Sequence, residues 1–239
     1  MDFTLDELKS AMLIQTKKND IVANNLANVN TIGFKKDYTF FDAYEKKMAK
    51  VNNLSIQTVK DFSQGEFEET NNPLDFALSG DGFFNIEAEG ETVYTRNGHF
   101  ELNDEGYLVD NENNYVLGEQ GRINLQTNFE TISNIFVGGN GEIYVNNVQA
   151  GKFKLSSFND STQVERLSGS VFRVKNPDSI TEQESSAVVM QGRIEQSNVN
   201  PVKEMVNLIE LQRGFESSQR TIKILDDALG KASSQISRV

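Results

Sequence analysis

The sequence predicts an α+β protein whose long N- and C-terminal helices pair as a coiled-coil-like unit and bracket a mainly β central domain. Three observations support this. Apolar residues follow helical spacing at both chain ends, and Asn-Gly pairs separate short β-type runs between them. Most of the net charge of −12 also lies in the middle of the chain, whereas both ends are nearly neutral. Near-neutral ends suit dense packing against other chains.

Residues 1–34 are predicted to form the N-terminal helix of the helical unit, because apolar residues recur there at three- and four-residue intervals. These are Leu5, Leu8, Met12, Val22, Leu26 and Val29. Gln15 and Asn19 fill the two gaps in the spacing as polar interruptions. Gly33 follows a run of Asn and Thr, so the helix is expected to end just before it.

Residues 35–73 are predicted to be an extended connector, and residues 74–196 an all-β domain. The β prediction depends on two Asn-Gly pairs, Asn97-Gly98 and Asn140-Gly141, each between β-branched or aromatic residues. This pattern is the strongest short-range signal for a hairpin. Further short strands are predicted in "GKFKLSSF", "SVFRV" and "AVVMQGRIE".

Residues 197–239 are predicted to form a heptad helix, with Ser197 or Asn200 as its cap and Pro201 in its first turn. The repeat runs through Leu208, Leu211, Phe215, Ser218, Ile222, Leu225, Leu229, Ala232, Ile236 and Val239. A second apolar set lies on another side of the first turns and comprises Val202, Met205, Val206 and Ile209. This helix spans about 60 Å against roughly 40 Å for the N-terminal one. We therefore expect it to contact both the N-terminal helix and another molecule.

The composition argues against catalysis and against most cofactors. The chain has no cysteine and a single histidine, His99, so thiolate and multi-histidine metal sites are excluded. Neither a nucleophile elbow nor a phosphate-binding P-loop is present. The acidic middle disfavours a nucleic-acid partner. We predict no enzyme activity, no cofactor, no metal and no small-molecule substrate, and we interpret the acidic runs as solvated surface.

The N-terminus has charges throughout and lacks the pattern of a cleavable signal peptide, and no apolar run is long enough to span a membrane. The protein is expected either to stay in the cytoplasm or to leave by a route that does not read such a signal.

Four blocks of the sequence, in order along the chain, resemble the flagellar axial proteins, which form the basal-body rod and hook. "ANNLANVNTIGFKK" is similar to their N-terminal signature, and "SNVNPVKEMVNLIELQRGFESSQRTIKILDDAL" to their C-terminal one. "NPLDFALSGDGFFNI" and "YTRNGHFELNDEGYLV" resemble the blocks that open the β domain. A single block is weak evidence, whereas four in order are specific.

The resemblance implies a structural subunit exported by the flagellar type III apparatus and located in the basal body, in the rod that spans the periplasm. It implies assembly with itself and other axial proteins, on its rod side or hook side, into a helical tube that transmits torque. The terminal helices would form the inner coiled-coil layer of this tube. The short segment 45–65 favours the proximal rod type. Gly214 departs from the family, which usually has alanine there, and glycine predicts a bend or unusually close packing.

The resemblance also selects the residues expected at subunit interfaces. Asn24, Asn25 and Asn28 are predicted to bond to the ends of neighbouring helices and to fix register, although they could instead cap their own helix and shape its exit turn. The full predicted set is Asn24, Asn25, Leu26, Asn28, Gly33, Phe34, Asn198, Val199, Glu204, Met205, Leu208, Leu211, Gln212, Arg213, Phe215, Ile222, Leu225 and Leu229.

Two alternatives to the proximal rod type remain open at this point. The first is a distal rod or hook subunit of the same family. The second is a secreted β-domain binding module, such as an adhesin, with a coiled-coil oligomerisation stalk. A stalk needs only one heptad segment, so apolar seams at both chain ends favour a polymer.

Overall fold

The computed structural model describes residues 5–41, 56–126, 134–159, 163–175 and 182–236. The fold is α+β, with one helix near each end of the chain and short strands between them. The helices are α1, Leu5–Ala27, and α2, Pro201–Ile236. The chain divides into two compact units: residues 1–27, 37–59 and 200–239 form the helical unit, and residues 28–36 and 60–199 form the β unit.

In the helical unit, α1 and α2 pack against each other. The unit also contains β1, Asp37–Phe41, which pairs with β2, Ile56–Lys60. Asn200 caps α2, because its side-chain oxygen accepts a hydrogen bond from the backbone N–H of Lys203 at 3.0 Å. The first helical residue is Pro201, which has no N–H to satisfy. These contacts confirm the predicted start of the C-terminal helix.

The shielded residues of α2 lie on the predicted heptad stripe. Glu204 is buried, and the next stripe positions are half-buried, namely Leu208, Leu211, Phe215, Ser218 and Ile222. On α1, Ile21 and Val22 are buried. The side chains of Leu229, Ala232 and Ile236, and all of Val239, lie outside the described residues. Within those limits, the predicted stripe matches the shielded face of α2 as far as Ile222, whereas Leu225, the next stripe position, is 36% exposed.

Within the described residues, the β unit contains seventeen short strands. Their bounds are β3 Phe67–Glu69, β4 Phe76–Ser79, β5 Phe83–Ala88, β6 Glu91–Thr95, β7 Glu101–Leu102, β8 Leu108–Val109, β9 Tyr115–Gly118, β10 Gly121–Arg122, β11 Ile135–Val137, β12 Glu142–Val145, β13 Val148–Lys152, β14 Leu155–Phe158, β15 Val164–Ser168, β16 Val171–Val174, β17 Glu182–Glu184, β18 Val188–Gln191 and β19 Arg193–Glu195.

Most of these strands join one antiparallel sheet, in the order β15-β16-β6-β5-β9-β8-β7, with β10, β14 and β17 paired to its members. Smaller sheets are β11-β12-β13, β18-β4 and β19-β3. Aromatic residues dominate the core: Phe76, Phe84, Phe100 and Phe153 are buried, and their rings lie 5.2–6.3 Å apart. Edge-to-face ring contacts add to the stability gained by apolar burial.

The two predicted Asn-Gly hairpins have different outcomes. Asn140-Gly141 lies in the turn between β11 and β12, which pair antiparallel, so that hairpin is confirmed. The hairpin at Asn97-Gly98 was wrong, because β6 pairs with β5 and β16 and not with the strand that follows it. Gly98 instead contacts a separate segment of the chain, because the Phe76 N–H donates to the Gly98 carbonyl at 2.8 Å.

Candidate subunit interface

The second apolar set of α2 is exposed to solvent. The exposed fractions are 66% for Val202, 46% for Met205, 50% for Val206 and 50% for Ile209. Four large apolar side chains within the first nine residues of one helix form a contiguous exposed patch, and such patches commonly mark interaction surfaces. We call these four residues the apolar patch.

Other predicted interface residues of α2 lie on two different sides of it. Gln212 and Arg213 are exposed, and Leu225 is just within the exposed range. Leu208, Leu211, Phe215 and Ile222 are half-buried on the stripe described above. Glu204 is buried at the start of that stripe, one turn into the helix. The predicted set therefore combines residues that pack inside the chain with residues that face outward.

The asparagines at the end of α1 also differ in their exposure to solvent. Asn24 is exposed, whereas Asn25 is buried and both ends of its amide bond to the backbone of Asp37. Its Nδ2 donates to the Asp37 carbonyl at 2.7 Å, and its Oδ1 accepts from the Asp37 N–H at 2.9 Å. Asn25 thus joins the end of α1 to the start of β1. A contact from this amide to a neighbouring subunit stays a prediction.

Leu26 and Asn28 are half-buried at the exit of α1. The Asn28 side-chain oxygen accepts a hydrogen bond from the Thr31 hydroxyl at 3.1 Å, and its carbonyl accepts from the Thr31 N–H at 3.2 Å. Asn28 therefore stabilises the turn after the helix, which is the local alternative that the sequence left open.

Gly33 and Phe34 follow this turn and are buried in the β unit. Gly33 adopts a φ of +68° and its N–H donates to the Glu195 carbonyl at 2.7 Å. A Cβ at Gly33 would lie 2.5 Å from the backbone of Arg96, so the position admits only glycine. The Arg166 guanidinium lies 3.9 Å from the centre of the Phe34 ring and also donates to the Lys35 carbonyl.

A buried charge cluster lies beside Gly33 and was not predicted from the sequence. Lys35 Nζ is 2.6 Å from Glu195 Oε1, and Arg96 Nη1 is 3.2 Å from Glu195 Oε2. Glu195 Oε1 also accepts from the Gly65 N–H at 2.8 Å. All three charged side chains are almost fully shielded from solvent. We call Lys35, Arg96 and Glu195 the charge cluster.

Backbone carbonyls accept further hydrogen bonds from the charge cluster, although Arg96 Nε is buried without a partner among the described residues. Lys35 donates to Ser63 at 2.8 Å, and Arg96 donates to Gly80 at 2.7 Å and to Leu78 at 3.3 Å. Burial lowers the pKa values of Lys35 and Arg96, and the nearby Glu195 opposes this. The cluster thus joins five separate segments of the β unit through paired charges and hydrogen bonds, as a structural element does, rather than presenting a reactive group to solvent.

Asn198 and Val199 complete the junction just before α2. The Asn198 side-chain oxygen accepts from the Lys36 N–H at 2.7 Å, and its Nδ2 donates to the Asp61 carbonyl at 2.8 Å and the Ser63 carbonyl at 3.0 Å. Val199 is buried. Of the residues predicted for subunit contacts, Asn25, Gly33, Phe34, Asn198 and Val199 are therefore brought into contacts within the chain.

Within the described part of the chain, no group of three or more His, Cys, Asp or Glu side chains is placed to hold a metal ion. No described helix is long and apolar enough to cross a membrane. The helical ends, the paired internal charges and the exposed apolar patch are typical of a structural protein, and subunit contacts through the helices stay a prediction.

Three family profiles match the chain in order. "Flagella basal body rod protein" matches residues 6–35, "Flagellar hook protein FlgE/F/G D1 domain" matches residues 77–145, and "Flagellar basal body rod FlgEFG protein C-terminal" matches residues 190–235. The "Flagella basal body rod protein" profile covers nearly all of α1 and extends to Lys35. The C-terminal profile begins in β18 and includes Glu195 and most of α2.

Whole-length relatives agree with these matches. The flagellar basal-body rod protein FlgF of Mesorhizobium japonicum is 31% identical over 92% of this chain and 93% of its own. FlgF of Caulobacter vibrioides is 30% identical over 100% of this chain and 98% of its own. The rod protein FlgG of Buchnera aphidicola subsp. Schizaphis graminum is 28% identical over 94% of this chain and 96% of its own. The chain therefore belongs to the flagellar basal-body rod protein family and is a structural rod subunit of the FlgF/FlgG type.

Proposed function

We propose that this rod subunit is of the proximal type and polymerises, with itself and other axial proteins, into a helical tube that transmits torque. The observation that supports the proposal is the apolar patch on the first turns of α2, whose four side chains are about half or more exposed in the single chain. In the tube, neighbouring subunits cover the patch.

The two sides of α2 have different functions in this proposal. The half-buried stripe pairs with α1 as a coiled-coil-like unit, and the apolar patch packs against the helices of the next subunit. Covering an apolar side chain of this size contributes about 1.5–3 kcal/mol when burial is complete. A helical layer at the centre of the tube satisfies both sides at once.

The charge distribution supports an outward position for the β unit. Residues 51–196 contain most of the acidic residues, and like charges repel when they are packed closely in a polymer. The nearly neutral terminal helices lack this penalty. We infer that the helices form the inner layer and that the acidic β unit faces the periplasm or an outer component.

The proximal assignment is supported by three relatives named FlgF, which are 30–32% identical to this chain, whereas the relatives named FlgG and a fourth FlgF are 28–29% identical. The same proposal places the subunit in the periplasm-spanning rod, after export by the flagellar apparatus. Its partners are other rod subunits on either side, and the distal rod and hook types are the alternatives within the family.

The proposed working division of the chain keeps the four segments expected from the sequence. These are an N-terminal segment over 1–34 that contains α1, a connector over 35–73 that contains β1, β2 and β3, a β domain over 74–196 and a C-terminal heptad segment over 197–239 that contains α2. Asn24, Gln212, Arg213 and Leu225 join the apolar patch as proposed contacts to neighbouring subunits, because they are exposed in the single chain.

The test is to measure the copies of this chain in purified hook–basal bodies by quantitative mass spectrometry, relative to the hook subunit. A strain that lacks the chromosomal copy would express the wild-type chain or the double substitution Met205→Ser with Ile209→Ser. We expect the variant to be lost from the basal body and swimming to stop, while the purified chain keeps its stability. Leu167→Ser is the matched control, because Leu167 is 50% exposed in the β unit.

Each outcome has a definite meaning. A low ratio of wild-type chain to hook subunit supports the proximal type, a higher ratio indicates the distal rod, and near-parity indicates a hook subunit. Absence from basal bodies would overturn the rod proposal and favour a secreted binding module. Normal incorporation of the double variant would show that the apolar patch is not a subunit contact.

A further inference from the structure

We propose that Gln15 and Gly214 form a register lock between α1 and α2, in which the Gln15 amide fills a notch left by the missing side chain of Gly214. The lock is a property of the single chain. Its consequence for assembly rests on the proposed function. A helix pair in the wrong register would place its outward-facing side chains at the wrong position along the helix axis for contact with the next subunit.

The lock depends on one hydrogen bond between residues far apart in sequence. Gln15 Nε2 donates to the backbone carbonyl of Leu211 at 3.0 Å, across 196 residues. A carbonyl inside an α-helix already accepts one hydrogen bond from its own helix, and its second lone pair is available to another donor. The Gln15 amide uses that second site on α2.

Gly214 provides the space for this contact. A Cβ at Gly214 would lie well inside van der Waals distance of Gln15 Nε2 and 3.5 Å from Gln15 Cδ. Gly214 is inside α2 and is not among the positive-φ glycines, so its backbone does not require glycine. The other glycine of α2, Gly230, has no atom within 4 Å of the corresponding Cβ position. Space for Gln15 is therefore the reason for glycine at 214.

The surrounding stripe explains why a polar lock determines the register. Apolar side chains can slide past one another with little change in energy, whereas a polar residue in a helix seam is satisfied in one register only. A slip by one turn, about 5.4 Å, would move Gln15 out of the notch. Asn19, one turn further along α1, has a buried Oδ1 without a hydrogen-bond partner among the described residues. The hydrogen bond that the structure shows from this seam to α2 is the one from Gln15 Nε2 to the Leu211 carbonyl.

The test is a double-mutant cycle on the purified full-length chain, followed by helical circular dichroism at 222 nm during urea unfolding. The variants are Gln15→Ala, Gly214→Ala and both together, with Gly230→Ala and Gln212→Ala as matched controls. Gly230→Ala should raise the folded-to-unfolded ratio about fourfold through helix propensity alone. Gly214→Ala should fail to give this gain, because the new methyl group displaces the Gln15 amide.

In the chain with the native Gly214, Gln15→Ala should lower the folded-to-unfolded ratio roughly fivefold, the size expected for one hydrogen bond. In the Gly214→Ala background it should have no effect, because the bond is already lost. Gln212→Ala should change little in either background, since Gln212 is exposed.

Three results would overturn the lock: a gain from Gly214→Ala equal to that from Gly230→Ala, equal losses from Gln15→Ala in both backgrounds, or the absence of any helical transition in the purified chain. Basal-body abundance separates this inference from the proposed function. A failed cycle with normal wild-type abundance rejects the lock alone, whereas an intact cycle with the chain absent from basal bodies rejects the rod proposal alone.

Discussion

Lys35 Nζ and Glu195 Oε1 lie 2.6 Å apart in the β unit, although 160 residues separate them in the sequence. Lys35 lies near the end of the N-terminal signature block, and Glu195 ends the last strand before α2. One buried ion pair thus joins the segments that lead out of the first helix and into the second. The predictions below begin with this pair.

Glu195→Gln should destabilise the β unit by about 3–5 kcal/mol, because it leaves the buried charges of Lys35 and Arg96 without a counter-ion. The measurement is urea unfolding followed by near-ultraviolet circular dichroism, which reports the packed tyrosine and phenylalanine rings. Glu165→Gln is the matched control, because Glu165 pairs with Arg173 at 2.7 Å on the surface. Its loss should be below about 1 kcal/mol. Equal losses of unfolding free energy in Glu195→Gln and Glu165→Gln would contradict the prediction that a buried ion pair matters more than an exposed one.

Gly33→Ala should cost more than about 3 kcal/mol, because the new methyl group meets the backbone of Arg96 and Asn97 and φ is +68°. Gly90→Ala separates these two causes. Gly90 also has a positive φ, +84°, but nothing lies within 4 Å of its Cβ position. We expect a loss of about 1 kcal/mol there, from backbone strain alone. Similar unfolding midpoints for both variants would show that the backbone near Gly33 shifts to accommodate the methyl group with little loss of stability.

Asn25→Leu should cost about 1–3 kcal/mol in the purified chain, because it removes both hydrogen bonds to the Asp37 backbone. Ala23→Leu, two positions earlier and exposed, should change stability by less than about 0.5 kcal/mol. The two functions considered for Asn25 can then be separated by comparing urea unfolding with incorporation into basal bodies. Unchanged stability with lost incorporation would favour a contact between subunits, and unaltered assembly and swimming would exclude that contact.

Tyr94 should make the β unit sensitive to alkaline pH. Burial, together with the negative charge of Glu182, raises the pKa of Tyr94 to about 12. The folded state then holds a proton that the unfolded state releases near pH 10, so this stabilisation is fully present below about pH 10 and is lost as the pH rises through about 12. The total change is about 2–3 kcal/mol.

The check on Tyr94 is unfolding at a series of pH values from about 10 to about 12, combined with phenolate absorbance. Other groups that titrate in this range contribute equally to the wild type and to a single-site variant, so the difference between the two chains isolates Tyr94. Tyr94→Phe should remove the pH dependence that is due to Tyr94 and the titration near pH 12, whereas Tyr107→Phe should leave both. If the pH dependence of stability persists unchanged in Tyr94→Phe, it comes from another titrating group.

Local patterns predicted the helices better than they predicted the sheet. The heptad spacing of α2 located its half-buried stripe because each residue of a helix is placed by its near neighbours in sequence. The Asn140-Gly141 hairpin succeeded for the same reason. Asn97-Gly98 carries the same signal, but its backbone is held by Phe76, and this contact between separate segments determines the local pairing.

The charge cluster was beyond prediction from one sequence. Lys and Glu are mostly solvent-exposed, and nothing in the residues next to Lys35 or Glu195 indicates that the two meet. Gly214 was different, because glycine in place of the family's usual alanine predicted either a bend or unusually close packing, and the structure shows Gln15 packed closely there.

The separation of Lys35 from Glu195 also affects the order of folding. Closing a contact between such distant residues has an entropic cost before any stabilisation is gained, and folds rich in such contacts form slowly. Any partial chain that ends before residue 195 lacks the carboxylate and leaves the two buried cations uncompensated. The native β unit therefore becomes favourable only when nearly the whole polypeptide is available. A nascent chain then stays unfolded in this region until its last fifth has been synthesised.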